Sequence, residues 1–137
     1  MAESKGNILI VDDEESIRYI LQRVLASEGY ECAVASNGRE ALKKAGKRDF
    51  DVVLLDIKMP KLSGMEVLPR IVAKHPDTCV VMTTAVVDMP TALTALNLGA
   101  YDYLTKPFNL DELSTRIEEV LERRRLVRKK EPAESSL

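Results

Sequence analysis

The chain has 137 residues, of which 45% are hydrophobic and 31% charged, so there is room for one domain with a sizeable core and little for a second. Its formal net charge of -2 excludes an overall basic field for holding nucleic acid or an acidic membrane surface. Two cysteines, Cys32 and Cys79, lie far apart with no CxxC or Cys/His pattern, which excludes a zinc motif and points to a reducing compartment. The opening MAESKGN has no apolar signal core and no run approaches membrane-spanning length, so a cytoplasmic protein without membrane contact is expected.

In chain order, short apolar runs alternate with amphipathic helices. Ile8 to Val11 is a first strand, closed by Asp12 and Asp13. Ile17, Ile20, Leu21, Val24 and Leu25 follow at helical spacing, and Gly29 is placed to end that helix in the left-handed conformation. Cys32 to Ala35 is a second strand, and Asn37 to Lys47 a short helix carrying Ala41, Leu42 and Ala45. Val52 to Leu55 is a third strand running into Asp56. Ser63 and Glu66 form a capping box for a helix with Met65, Leu68, Ile71 and Val72 on one face, and Pro69 predicts a mild irregularity within it. His75, the single histidine, follows that helix as a solvated residue. Cys79 to Met82 is a fourth strand, Pro90 to Gly99 frames a fourth helix, Tyr101 to Leu104 is a fifth strand, and a last helix starts at Leu110.

Strands that read as unbroken apolar runs belong to a parallel sheet covered on both faces. Right-handed crossovers then favour an α/β flavodoxin-like (βα)5 doubly wound sheet of order 2-1-3-4-5. Ligands of such sheets bind at the carboxyl ends of the strands, where strand order reverses between strands one and three. Asp12, Asp13 and Asp56 converge there, with Thr84 and Lys106 after strands four and five. Singly, each residue reads as a cap, a turn residue or a solvated loop residue. Together they form an oxygen-only acidic trio that demands a counter-charge and suits a hard divalent ion such as Mg²⁺. An ammonium and a hydroxyl around one carboxylate then describe a phosphoryl-transfer site with Asp56 as nucleophile.

The stretches ILIVDDE (8–14), LLDIKMPKLSGME (54–66), TTA (83–85) and GAYDYLTKPF (99–108) resemble the receiver domain of two-component response regulators. The resemblance implies a receiver over residues 5–125, with 126–137 a helical extension, linker or disordered tail. It implies that Asp56 accepts phosphate and that Asp12, Asp13 and Asp56 hold Mg²⁺ with the Lys58 backbone carbonyl. It also implies that Lys106 precedes a cis proline bond, and that Thr84 and Tyr103 switch together. The implied partner is a sensor histidine kinase or phosphotransfer protein. The implied chemistry is that of a signalling protein that catalyses its own phosphorylation and dephosphorylation, rather than an enzyme on a separate substrate. The segment 91–108 is similar to receivers of NtrC-like, enhancer-binding regulators, which implies transcription regulation as output, with no direct nucleic-acid binding by this domain.

Met89 to Tyr101 contains no charged residue. Either its helix is buried more deeply than the others, or Leu93, Leu96, Leu98 and Tyr101 form a face for a phosphorylation-dependent homodimer or output contact. Leu113, Ile117, Val120, Arg124 and Val127 have coiled-coil-like spacing, or else belong to a core helix with a basic, solvated end. Three rival readings compete with the receiver. A haloacid-dehalogenase-type phosphatase would need DxD after strand one, and the chain has Asp12-Asp13-Glu14. A flavin or nucleotide module would need a phosphate-binding loop there, where acids repel phosphate. A receiver-like module that never turns over phosphate is separable only by assay.

Overall fold

The computed structural model describes residues 4–85 and 88–135, with side chains as far as residue 126. Strand and helix alternate as the apolar pattern dictates: β1 (Asn7–Val11), α1 (Glu15–Ser27), β2 (Glu31–Ala35), α2 (Gly38–Ala45), β3 (Val52–Asp56), α3 (Gly64–Lys74), β4 (Cys79–Thr84), α4 (Met89–Asn97), β5 (Asp102–Thr105) and α5 (Leu110–Ser135). The five strands pair in parallel in the order β2-β1-β3-β4-β5, the flavodoxin-like arrangement.

Successive strand residues point to opposite faces, so each strand feeds two cores. Leu9, Val11, Val53, Leu55, Val80 and Met82 pack on one face with Ala41, Leu68, Ile71 and Ala95 from α2, α3 and α4. Ile8, Ile10, Val52, Leu54 and Val81 pack on the other with Leu21, Leu25, Leu113, Ile117 and Val120 from α1 and α5. Fully burying each of the valine, leucine, isoleucine and methionine side chains among these stabilises the fold by about 1.5–3 kcal/mol before entropy is counted. The central strands β3 and β4 are buried throughout, including their terminal Asp56, Thr83 and Thr84.

Local signals set the helix ends. Asn37 accepts from the Glu40 N–H at 2.8 Å and caps α2, so that helix starts one residue later than the sequence pattern placed it. Ser63 and Glu66 form the expected capping box of α3, and Pro69 lies inside the helix. Gly29 and Gly99, at φ +104° and +107°, follow α1 and α4 in the left-handed region. Gly64 is needed for a different reason: a Cβ there would lie 2.2 Å from the Asp56 carbonyl oxygen. Its N–H donates to the Ile57 carbonyl at 2.9 Å, which draws the start of α3 against the end of β3.

Other details differ from the sequence pattern. β4 runs two residues further, through Thr84, because Thr83 pairs with Asp56 and Thr84 with Thr105. β5 starts and ends one residue later, leaving Tyr101 exposed although its N–H donates to Val80 at 2.8 Å. Val67 rather than Met65 or Val72 joins Leu68 and Ile71 as a buried α3 residue. Ile20, part of the α1 stripe, is 48% exposed.

In α5, Leu113, Ile117 and Val120 face the chain's own core. Arg124 continues that seam by ion-pairing with Asp51 and donating to the Asp77 carbonyl at 2.5 Å, which clamps the helix to the amino-terminal edge of the sheet. The side chain of Val127 lies outside the described residues, as do residues 136 and 137 of the tail. No helix among the described residues is long and apolar enough to cross a membrane.

Candidate functional site

The strand ends deliver the site. All five carboxyl ends share one edge of a parallel sheet, and the order reverses between β1 and β3. Asp12 follows β1, Asp56 ends β3, Thr84 ends β4 and Lys106 follows β5. The register levels them: Val11 lies beside Leu55, Asp56 beside Thr83, and Thr84 beside Thr105.

One carboxylate oxygen from each of Asp12, Asp13 and Asp56 lies within 4.8 Å of the others. Asp12 and Asp56 are buried, whereas Asp13 opens to solvent. Lys106 reaches between the buried pair: its Nζ donates to Asp12 Oδ2 at 2.6 Å and stands 3.5 Å from Asp56 Oδ1. Its backbone N–H donates to the Thr84 carbonyl at 2.7 Å, so the lysine and the threonine share one corner of the sheet. The Lys106–Pro107 bond is cis, as the family resemblance implied.

Charge governs this rim. Three carboxylates face one ammonium. Burial pushes the Asp56 carboxyl up to about 6, and the Asp12 charge adds to this. Lys106 pulls it down by charge and hydrogen bond, and Asp13 raises it slightly again. Burial works against the Lys106 ammonium, but the hydrogen bond and charge of Asp12, with those of Asp56, outweigh it and hold its pKa above the ordinary lysine value. The trio offers oxygen ligands only, two buried and one wet, and no histidine or cysteine joins it. That donor set fits a hard cation that keeps some of its water.

Lys58 is exposed, two positions beyond Asp56. Tyr103 sits in β5 beside Met82, half-buried, its phenol pKa raised by burial and by Asp88. In α4 only Ala95 is buried, so the deeper-burial reading of that helix fails. Leu93 is 54% exposed, and Leu96, Leu98 and Tyr101 are exposed beside it.

Residues 8–118 match the family model of the response regulator receiver domain. The chain belongs to the response regulator receiver family. Over 117 residues the receiver is 45% identical to the uncharacterized transcriptional regulatory protein YkoG of Bacillus subtilis, a match that covers 85% of this chain and 51% of YkoG. It is 39% identical over 117 residues to the DNA-binding transcriptional regulator NtrC of Escherichia coli, covering 85% of this chain and 25% of NtrC. The chain thus spans about half, or less, of the length of these relatives. Among solved structures, the response regulator TrrA of Thermotoga maritima, in complex with Mg(2+)-BeF, matches with a TM-score of 0.76 at 41% identity, covering 83% of this chain and 97% of TrrA.

Two features of the receiver's site were missed in the sequence. Arg18 donates to the Asp12 carbonyl at 2.7 Å, a contact that helical periodicity alone does not signal. Beside Lys106 an apolar groove of about 500 Å³ is lined by Ile17, Ile20, Leu21, Pro107, Phe108 and Leu110. The sequence pattern placed Ile20 on the buried stripe of α1, so its exposure gave no sign of the groove.

The raised Asp56 pKa makes a stability prediction. Between an unfolded value near 3.9 and a folded value of about 6, the folded chain binds more protons than the unfolded one. Stability therefore falls as pH rises through that window and stays lower above it. In chelator, Asp56→Asn should be more stable than wild type by about 2 kcal/mol at pH 7.5, with the gap closing below pH 5. Urea melts at the two pH values check this. Equal stability at pH 7.5 would show that the carboxylate carries no penalty.

Proposed function

We propose that this receiver accepts a phosphoryl group on Asp56 from a phosphohistidine of a sensor histidine kinase or phosphotransfer protein, and later releases it as inorganic phosphate. The observation that carries the reading is the Lys106 ammonium lying between Asp12 and Asp56 in a three-carboxylate rim. An Asp56 oxygen forms the new bond to phosphorus while the phosphorus–nitrogen bond breaks, and that electron pair stays on the imidazole. Lys106 binds a phosphoryl oxygen and offsets its growing charge, and the Thr84 hydroxyl donates to another. Water then attacks phosphorus in line and the Asp56 carboxylate leaves.

Asp12, Asp13 and Asp56, with the Lys58 carbonyl, would hold Mg²⁺. The bound ion would neutralise the charge that otherwise sets phosphate against the carboxylates. The apolar groove beside Lys106 offers the donor protein a surface next to the reacting atoms. In this reading the chain is a signalling protein that catalyses its own modification. It acts within a two-component pathway, and α5 beyond Arg125 leads towards a transcriptional output, as in YkoG and NtrC, which are named as transcriptional regulators.

Phosphate on Asp56 would draw Thr84 and Lys106 inward and Tyr103 with them, biasing the α4–β5 face between two arrangements. The occupant proposed for that face is a second copy of the receiver, seated on Leu93, Leu96, Leu98 and Tyr101. Four large apolar groups exposed on and beside one uncharged helix support it.

Incubation with acetyl phosphate and Mg²⁺, followed by intact-mass spectrometry, should add one phosphoryl group to wild type and none to Asp56→Asn or to wild type in chelator. An equal gain in Asp56→Asn would place the chemistry elsewhere. Sedimentation with beryllofluoride and Mg²⁺ should yield a dimer that Leu93→Asp reduces to monomer. A monomer at high concentration with and without the mimic would remove the dimer from the account.

A further inference from the structure

Asp12 is held at all four of its polar atoms. Its N–H donates to the Ala35 carbonyl at 3.1 Å, and Oδ1 accepts from the Glu14 N–H at 2.9 Å. Oδ2 accepts from Lys106 at 2.6 Å, and the backbone carbonyl accepts from the Arg18 guanidinium at 2.7 Å. Three of these bonds come from the sheet, from the turn or from the lysine already placed in the site. The fourth comes from a side chain with no part in the chemistry described above. We infer that Arg18 is a positioning residue for the cation site: by gripping the Asp12 carbonyl it fixes the peptide joining Asp12 to Asp13, and so fixes how the two carboxylates face the cation. The inference rests on the proposal that these acids bind Mg²⁺.

The position of Arg18 argues for this role. Arg18 is the fourth residue of α1, near the positive end of the helix, where a cation gains nothing from the macrodipole. Its side chain points back over the helix start instead of out to solvent, and it is only half-exposed. The bond goes to a carbonyl, not to any of the three carboxylates. A simple charge-balancing residue would pair with a carboxylate. A guanidinium on the carbonyl restrains the rotation of one peptide. That peptide lies in the turn just after β1, between one acid that is buried and one that is exposed to water. Asp13 is exposed, so its aim depends on the peptide before it more than burial fixes it.

The two ways in which Arg18 could act have opposite signs. As a bare positive charge it repels Mg²⁺, and its removal should tighten binding. As a positioning group its removal should weaken binding, by roughly tenfold, the lower end for outer-shell partners of metal ligands. Calorimetric titration of Mg²⁺ into the whole chain at fixed ionic strength separates them, using wild type, Arg18→Met and Arg18→Lys. Arg18→Met keeps the packing stem and loses the donor. Arg18→Lys keeps a donor and the charge. The expected result is a dissociation constant about tenfold weaker in Arg18→Met and closer to wild type in Arg18→Lys. Metal-free melting of each variant shows whether the fold survives, and the titration is run well below the lowest melting temperature. Unchanged or tighter Mg²⁺ binding by Arg18→Met overturns the inference, while failure of wild type to bind Mg²⁺ at all overturns the proposal beneath it instead.

Discussion

Two buried carboxylates from different strands share one ammonium. Asp12 and Asp56 belong to neighbouring strands, and each would be costly to ionise alone in the interior. Lys106 comes from the far side of β4 and reaches both. The contact joins the ends of β1, β3 and β5 across the sheet edge. It also leaves the account of charge unfinished, because Asp13 adds a third acid and the lysine supplies one positive charge. The raised Asp56 pKa expresses its burial first, and then the Asp12 charge beside it, which Lys106 only partly offsets. A rim in this state has strong reason to take up a divalent cation and a group whose oxygens Lys106 can bind.

The fold makes the contact possible by rigid mounting. Asp56 ends a strand buried along its whole length, and α3 is pressed against its carbonyl at Gly64, where no larger residue has space. Asp12 is pinned on all sides. Lys106 is tied through its backbone to Thr84. The opposite end of the molecule is closed by Arg124, which anchors α5 to Asp51 and Asp77. The α4 side, by contrast, holds one buried residue, Ala95, and several exposed leucines. Packing is dense where the chemistry needs precision and thin where a surface must be able to rearrange.

Much of this was legible in the chain itself. Unbroken apolar runs such as Val52–Leu55 announced buried parallel strands, and the Ser63–Glu66 capping box and the glycines after α1 and α4 marked helix ends. The acids, threonine and lysine were readable because they sit at or just after the ends of β1, β3, β4 and β5, and a parallel sheet brings strand ends together. What escaped was set by tertiary pairing. β4 extends through Thr84 because Asp56 and Thr105 are there to pair with its threonines, which no local propensity encodes. Arg18 reads as one more solvated helix residue until the turn it grips is in view. The uncharged α4 left two readings open, since composition does not say which way a leucine faces, and exposure removed the deeper-burial one.

The electrostatic core of the account can be measured at Asp56 itself. Carbon-13 NMR titration of its side-chain carboxyl in metal-free protein should give a pKa near the value of about 6 that burial and Asp12 impose. In Lys106→Met it should move higher still, because the one cation opposing those effects is gone. A wild-type value near that of a free aspartate, about 3.9, or a value indifferent to the loss of Lys106, would contradict the claim that these three side chains form a single coupled site.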